Sequence, residues 1–246
     1  MEKLDFLDIE KSLANRLTDE VICAILKCIH AKETVRTLKL TGCINIAGTG
    51  LEPLRGSIVL EQIDLSLAKQ HDRPDVVPSA AKMSDEVVIH ILDGMIDTAG
   101  CSLRYVHFSH QGGRTRTCSV ERRAFFRRFG EHLNNSGLDC SKCGREVSAG
   151  NTDYLVHFQK NIICYDCLKP ICGNCMYAIR NCGMCHKDYC ADCVQVNTRC
   201  ESCFERNCIP CGVMKECDEC QRSCCENCIH GPVCDDCERG LTLGDY

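Results

Sequence analysis

The chain has no tryptophan, no apolar run approaching the ~20 residues of a membrane-spanning helix, and no surplus of basic charge. Each absence removes a class. Without such a run, no membrane span is expected. Lys and Arg number 29 against 34 Asp and Glu, a formal net charge of −5, so the chain as a whole is not built to neutralise phosphates. The opening Met1-Glu-Lys-Leu-Asp-Phe-Leu-Asp-Ile-Glu is acidic and lacks the apolar core of a secretory signal. The expected location is therefore cytoplasmic or nuclear, where thiols stay reduced. No Ser/His/Asp order, Gly-rich phosphate loop or His-Glu-x-x-His occurs, and no catalytic residue is predicted.

Cysteine is what the chain has instead, 26 residues of 246. Five precede residue 140 and twenty-one follow from there, so composition divides the chain. The second part contains ten Cys-x-x-Cys pairs: Cys140/Cys143, Cys164/Cys167, Cys172/Cys175, Cys182/Cys185, Cys190/Cys193, Cys200/Cys203, Cys208/Cys211, Cys217/Cys220, Cys225/Cys228 and Cys234/Cys237. From Cys164 they follow C-x2-C-x4-C-x2-C, and equivalent first cysteines recur at 164, 182, 200, 217 and 234.

Two thiolates two residues apart can face one metal from a tight turn, and tetrahedral zinc needs four such ligands. Ten pairs supply twenty ligands, enough for about five structural Zn²⁺. A disulfide framework suits a small secreted protein, and iron–sulfur proteins use fewer, differently spaced cysteines. A flexible metal sponge would lack apolar residues between pairs, whereas Leu168, Ile171, Met176, Ile179, Tyr189, Val194, Phe204, Ile209, Val213, Ile229 and Val233 stand there. Cys224, beside Cys225, is left over, and either could begin its pair. His157, His186 and His230 lie in or near the array, with His186 the nearest to a substitute ligand.

The first part carries its own repeat. Thr18-Asp-Glu-Val-Ile-Cys-Ala-Ile-Leu returns as Ser84-Asp-Glu-Val-Val-Ile-His-Ile-Leu. Thr18 and Ser84 are predicted N-caps, and the acidic pair after each suits a first helical turn. Val21, Ile22, Ile25, Leu26 and Ile29 form one apolar face, and Val87, Val88, Ile91, Leu92 and Met95 its counterpart. Short strands follow at Val35–Cys43, Leu60–Leu65 and Leu103–Phe108.

Val35, Leu38, Leu40 and Cys43 fit L-x-x-L-x-L-x-x-N/C, and residues 10–110 resemble leucine-rich repeats of the cysteine-containing, ribonuclease-inhibitor-like subtype. The resemblance implies a short α/β solenoid, followed here by a small, irregular zinc-stabilised Cys-rich array, with a binding surface for another protein and a cap at one end from residues 1–16. Leu38 to Ile63 is a normal repeat of 25 residues, but Ile63 to Val106 is 43, so Ser66–Met83 reads as an inserted loop. Cys43 is expected as a buried ladder residue, and Cys23, Cys28, Cys101 and Cys118 show no ligand spacing.

Between the parts, residues 111–137 hold a loop, Gln111-Gly-Gly-Arg, and a helix from Ser119 to Asn135. Val120, Ala124, Phe125, Phe126, Phe129 and Leu133 form its apolar stripe, with Arg122, Arg123, Arg127 and Arg128 beside them. The Phe face is expected to cap the repeats, and the Arg face to meet solvent or the acidic cysteine array. The domains are then 1–110, repeats; 111–137, connecting helix; 138–240, zinc array; and 241–246, tail.

The ladder from Cys140 to Cys185 resembles cross-brace zinc domains of the FYVE and RING kind. That resemblance implies that pairs one and three share a zinc, as do two and four, with five to eight forming a second cross-brace and nine joining ten. Joining each pair to its successor uses every pair equally well. The basic FYVE motif, the RING ligand His and the RING Trp are all missing, and Pro210 stands one position later than in RING domains. The chain therefore reads as a non-enzymatic, zinc-binding interaction or scaffold protein. A RING-like ubiquitin ligase is the alternative, and nucleic-acid binding through the Arg-rich helix a weaker one.

Overall fold

A computed structural model of the 246-residue chain describes residues 2–6, 11–14, 16–66, 83–108, 119–147, 163–172, 174–175, 179–182, 187–193, 200–203, 214–225, 228–229 and 231–240. The inserted loop expected at 66–83, the 111–114 loop, Cys118, His157, His186, His230 and the 241–246 tail fall wholly or mostly outside these residues. The chain forms two compact units: Met1–Ile163 with Leu168–Cys175, and Cys164–Cys167 with Met176–Tyr246.

The first unit is mixed α/β around a parallel sheet. Its elements run β1 (Lys3–Asp5), α1 (Lys11–Ala14), α2 (Asp19–Cys28), α3 (Ala31–Thr34), β2 (Thr37–Lys39), a 3₁₀ turn at Thr49–Leu54, β3 (Gln62–Leu65), α4 (Asp85–Ile96), β4 (Tyr105–Phe108) and α5 (Val120–Asn135). The strands lie in chain order, β1-β2-β3-β4, all parallel. Parallel neighbours cannot be joined by a hairpin, which is why a longer connection separates each pair. Leu38 pairs with Ile63 and Ile63 with Val106, the register that the steps of 25 and 43 residues require. Val35, Leu38, Leu40, Cys43, Ile63 and Val106 are all fully buried, and burial pushes the Cys43 thiol up to about 12. Cys43 is a core residue.

Three expectations are corrected here. Residues 3–5 do not merely cap the sheet; they pair with Thr37–Lys39 as its fourth strand. Val21 is 41% exposed, and α2 packs on Ile22 and Leu26. Thr18 stands at the N-cap of α2 but makes no side-chain cap; its hydroxyl hydrogen-bonds Glu20, holding that carboxyl below its usual range. Ser84 does cap α4, its hydroxyl accepting from Val87 N at 3.4 Å.

The acidic first turn of α2 has a use beyond the helix dipole. The Asp19 carboxylate accepts three backbone N–H groups, from Ala47 at 2.7 Å, Gly48 at 3.0 Å and Gly50 at 2.6 Å. That pins the loop between β2 and the 3₁₀ turn onto the helix. Gly50 must be glycine because a Cβ would stand 2.6 Å from the Asp19 carbonyl oxygen. Gly48 has φ +112°, a left-handed conformation that favours glycine.

α5 closes the unit over β4. Phe125, Phe126, Phe129 and Leu133 are buried, with Phe108 edge-on to Phe125 and Phe126 at 6.2 and 5.8 Å and Phe125 stacked on Phe129 at 5.7 Å. The arginines find partners on α4. Arg122 bonds Asp85 at 2.7 Å and lies 4.7 Å over the Phe108 ring. Arg128 makes two bonds to Asp93, at 2.6 and 3.1 Å. Ser119 caps α5 by accepting from Arg122 N and donates its hydroxyl to Asp85. The Arg face was expected to meet solvent or the cysteine array; Arg122 and Arg128 instead pair with Asp85 and Asp93 of α4. Arg123 and Arg127 are exposed.

Replacing Asp19 by Ala leaves three backbone donors to find other partners. It should destabilise the first unit by about 2–4 kcal/mol, read as a lower thermal midpoint of the helical far-UV signal. Glu20→Ala, at an exposed neighbour, should shift that midpoint far less.

Candidate metal centres

The pairs beginning at Cys140, Cys164 and Cys217 share one local structure. The residue four after the first cysteine is left-handed: Gly144 at φ +68°, Leu168 at +54° and Gln221 at +57°. That conformation turns the chain back, so the residue before the first cysteine bridges the residue six after it: Asp139 with Glu146, Ile163 with Pro170, Glu216 with Ser223. Inside two of these hairpins, Cys140 N donates to Arg145 O at 2.8 Å and Cys217 N to Arg222 O at 3.0 Å. The turn leaves both sulfurs of a pair on one side. Leu168 and Gln221 are strained conformations for L side chains, and the hairpin closure around them holds them in place.

Sixteen of the twenty predicted ligands come together in four groups of four: Cys140/Cys143/Cys172/Cys175, Cys164/Cys167/Cys190/Cys193, Cys200/Cys203/Cys225/Cys228 and Cys217/Cys220/Cys234/Cys237. The sulfurs of each group all lie within 4.8 Å of one another. Individual separations are 3.6 Å for Cys143–Cys172, 3.8 Å for Cys167–Cys190, 3.9 Å for Cys203–Cys225 and 3.8 Å for Cys220–Cys234. A tetrahedron with Zn–S bonds of about 2.3 Å has edges of about 3.8 Å, whereas a disulfide needs about 2.05 Å. The donors fit zinc, and each group can hold one metal ion.

Only the first group follows the cross-brace expectation, pairs one and three. Pair two joins five, six joins nine and eight joins ten, so the double cross-brace fails beyond the first site and the sequential scheme holds at none of the four. The reason is local. In C-x2-C-x4-C-x2-C the hairpin ends close after the first pair, and the second pair is delivered to the preceding hairpin. Its backbone goes with it: Cys190 N donates to Cys164 Sγ at 3.2 Å and Cys225 N to Cys200 Sγ at 3.3 Å. Cys225, not Cys224, belongs to the third group. Cys224 is buried outside every group, and desolvation pushes its thiol up to about 12. Cys182 is buried too, while Cys185, Cys208 and Cys211 lie outside the described residues.

The electrostatics show what such a group demands. Burial alone would raise Cys140, yet backbone N–H groups of Cys172, Lys142 and Cys143 outweigh it and bring the thiol to about 6. The Cys220 N–H does most for Cys217, working against burial with help from Cys234 and Glu219, also to about 6. In the same two groups Cys175 is pushed up to about 12 and Cys237 is raised. Four sulfurs this close do not all carry charge without a cation; a divalent ion removes that conflict.

A polar chain links the last two groups. Arg222 donates to Cys220 Sγ at 3.1 Å and Cys234 Sγ at 3.6 Å and pairs with Asp236 at 3.1 Å. Asp236 in turn accepts from Ser202, which lies between Cys200 and Cys203, at 2.7 Å. None of these three was singled out in the sequence, where no spacing marks a residue that serves sulfur charge. The apolar neighbours Ile229, Met214 and Val233 pack on the cysteines themselves. No family of known proteins matches the chain, and neither a curated protein nor a solved structure does.

Native mass spectrometry should find at least four zinc ions per chain. Chelation should unfold the second unit while the helical signal of the first, which has its own apolar core, persists. Lowered thiols contribute binding that is complete above their unfolded values near 9 and is lost as pH falls through about 6. Zinc affinity, measured by chelator competition, should therefore collapse below about pH 6. At pH 7 loading should release protons, because the raised members begin as thiols; loading without proton release would contradict the thiolate sites.

Proposed function

We propose that this chain is a non-enzymatic, intracellular interaction protein whose cysteine array is held by structural zinc and whose parallel-sheet unit, resembling a short leucine-rich-repeat solenoid, offers the binding surface. The observation that carries this reading is the completeness of the four cysteine groups. With all four ligands supplied by the chain, a tetrahedral zinc keeps no open position to activate water or polarise a carbonyl. Sites of that kind hold a fold together. The engagement of Arg122 and Arg128 by Asp85 and Asp93 supports the same reading against nucleic-acid binding, since half of the helix's arginine cluster is already neutralised. Each zinc-loaded group also carries a net charge of about −2, which adds to an already acidic array.

A RING-like ubiquitin ligase is the second reading, favoured by the interleaving of the first two groups, in which Cys164/Cys167 stands between the two halves of the first site. The surrounding residues do not supply the usual contacts, since there is no tryptophan anywhere in the chain. The two readings part in a discharge assay. Zinc-loaded full-length protein, tested against a panel of ubiquitin-charged conjugating enzymes, should leave their discharge rates at the background level. Stimulation of any of them that disappears in a Cys164→Ser variant would establish the ligase reading instead.

A further inference from the structure

Arg222 reaches both halves of the fourth group. Its Nε–H donates to Cys220 Sγ at 3.1 Å and its Nη2–H to Cys234 Sγ at 3.6 Å, so one guanidinium holds a sulfur of the hairpin pair and a sulfur of the completing pair. Its Nη1 meets the Asp236 carboxylate at 3.1 Å, with both side chains largely buried, and Asp236 also accepts from Ser202. The planar fork is therefore fixed from behind and aimed at two sulfurs, a geometry that a lysine ammonium does not reproduce. In the third group, Cys200 Sγ accepts backbone N–H groups, from Cys203 at 3.4 Å and Cys225 at 3.3 Å, and Cys203 is exposed.

Four thiolates around one Zn²⁺ leave a net charge of about −2, and that excess resides on the sulfur lone pairs. A metal-bound thiolate with that charge remains a nucleophile. A cation that donates into two of the four sulfurs draws charge away from them, and charge-assisted hydrogen bonds of this kind are the strong ones. Donors outside the ligand set tune and orient ligands in the same way. We propose that Arg222 is a positioning residue of the fourth group: it joins the two cysteine pairs through Cys220 and Cys234 and lowers the nucleophilicity of their thiolates, so that this group keeps its metal when a soft electrophile reaches the array. Of the two groups linked by Arg222, Asp236 and Ser202, the third then yields first. The inference rests on the metal reading of the cysteine groups.

Iodoacetamide is the probe. The thiolate sulfur displaces iodide and becomes an uncharged thioether, which removes one metal ligand. Zinc-loaded full-length protein is alkylated over a time course, and the rate at each cysteine is read by peptide mass mapping. In wild type Cys203 should react before Cys220; the reverse order would overturn the inference. Arg222→Gln should speed alkylation of Cys220 and Cys234 roughly tenfold, the rate equivalent of losing one charge-assisted hydrogen bond, and leave Cys200 and Cys203 at their wild-type rates. Arg222→Lys, which keeps the charge but not the fork, should recover part of the protection. In cobalt-loaded Arg222→Gln, part of the sulfur-to-metal charge-transfer absorption should move to longer wavelength, a shift that a packing role would not produce. Unchanged rates, or rates that rise equally in the third group, would overturn the inference. Should Arg222→Gln shed metal, loss of one ion with the newly reactive cysteines confined to the fourth group supports the assignment, and loss of more overturns it. Wild type that carries no metal would overturn the metal reading itself, whereas metal-loaded wild type with an indifferent Arg222 overturns this inference alone.

Discussion

Everything in the second unit depends on the mutual repulsion of four sulfurs held within 4.8 Å. Hairpin N–H groups draw Cys217 toward the thiolate, while the neighbouring Cys220 sulfur and burial push Cys237 the other way. No side-chain arrangement satisfies all four at once. A divalent cation would, and its binding free energy would then support a unit whose described residues bury mostly cysteine. Its buried cluster consists of Cys200, Cys217, Cys224, Cys225, Cys234 and a single aliphatic residue, Ile229.

The first unit reaches stability by the ordinary route. Leu38, Ile63 and Val106 line up across a parallel sheet, and the aromatic face of α5 covers its last strand. Polar groups there do local work. Asp19 fastens a loop whose glycines have no room for a side chain, and Asp85 and Asp93 gather the arginines of α5. Charge is thus used differently around the sheet, where it trims a core that already exists, and in the cysteine groups, where it is concentrated on four adjoining sulfurs.

How far the sequence could be read follows from that difference. The strands of the first unit were legible because their apolar residues recur at fixed intervals and burial enforces the period. β1 was not, since Lys-Leu-Asp is too short to show alternation and is recruited only by the neighbouring edge of β2. The ligands were legible as a set because Cys-x-x-Cys is imposed by the turn. Their partners were not, because any pair can chemically complete any other. Only the three-dimensional direction of each hairpin, fixed by left-handed residues such as Leu168 and Gln221, selects among them. Those residues carry no glycine to announce the turn. Val21 was misplaced for a related reason: helical spacing gives a face about a hundred degrees wide, and within it α2 buries only its Ile22–Leu26 side.

The interleaving has a consequence for how the array responds to metal. In the repeats beginning at Cys164 and Cys217 only four residues separate the hairpin pair from the second pair, yet the two belong to different cysteine groups. A metal in each group would therefore clamp a hairpin pair to a pair of the following repeat, and the repeats beginning at Cys164 and Cys217 each contribute to two groups. Stability in such a chain is a sum of nearest-neighbour terms, as in a solenoid, with metal sites in place of packed interfaces. Loading one site fixes the short segment leading to the next, so the ordering cost of closing that site is already partly met. The Arg222–Asp236–Ser202 contacts reinforce the same coupling between the third and fourth groups, joining the thiolates of one to the turn of the other. A cross-brace confined to one pair of ligand sets would close on itself; the offset pairing of the third and fourth groups passes the constraint from one to the next through the repeat that begins at Cys217.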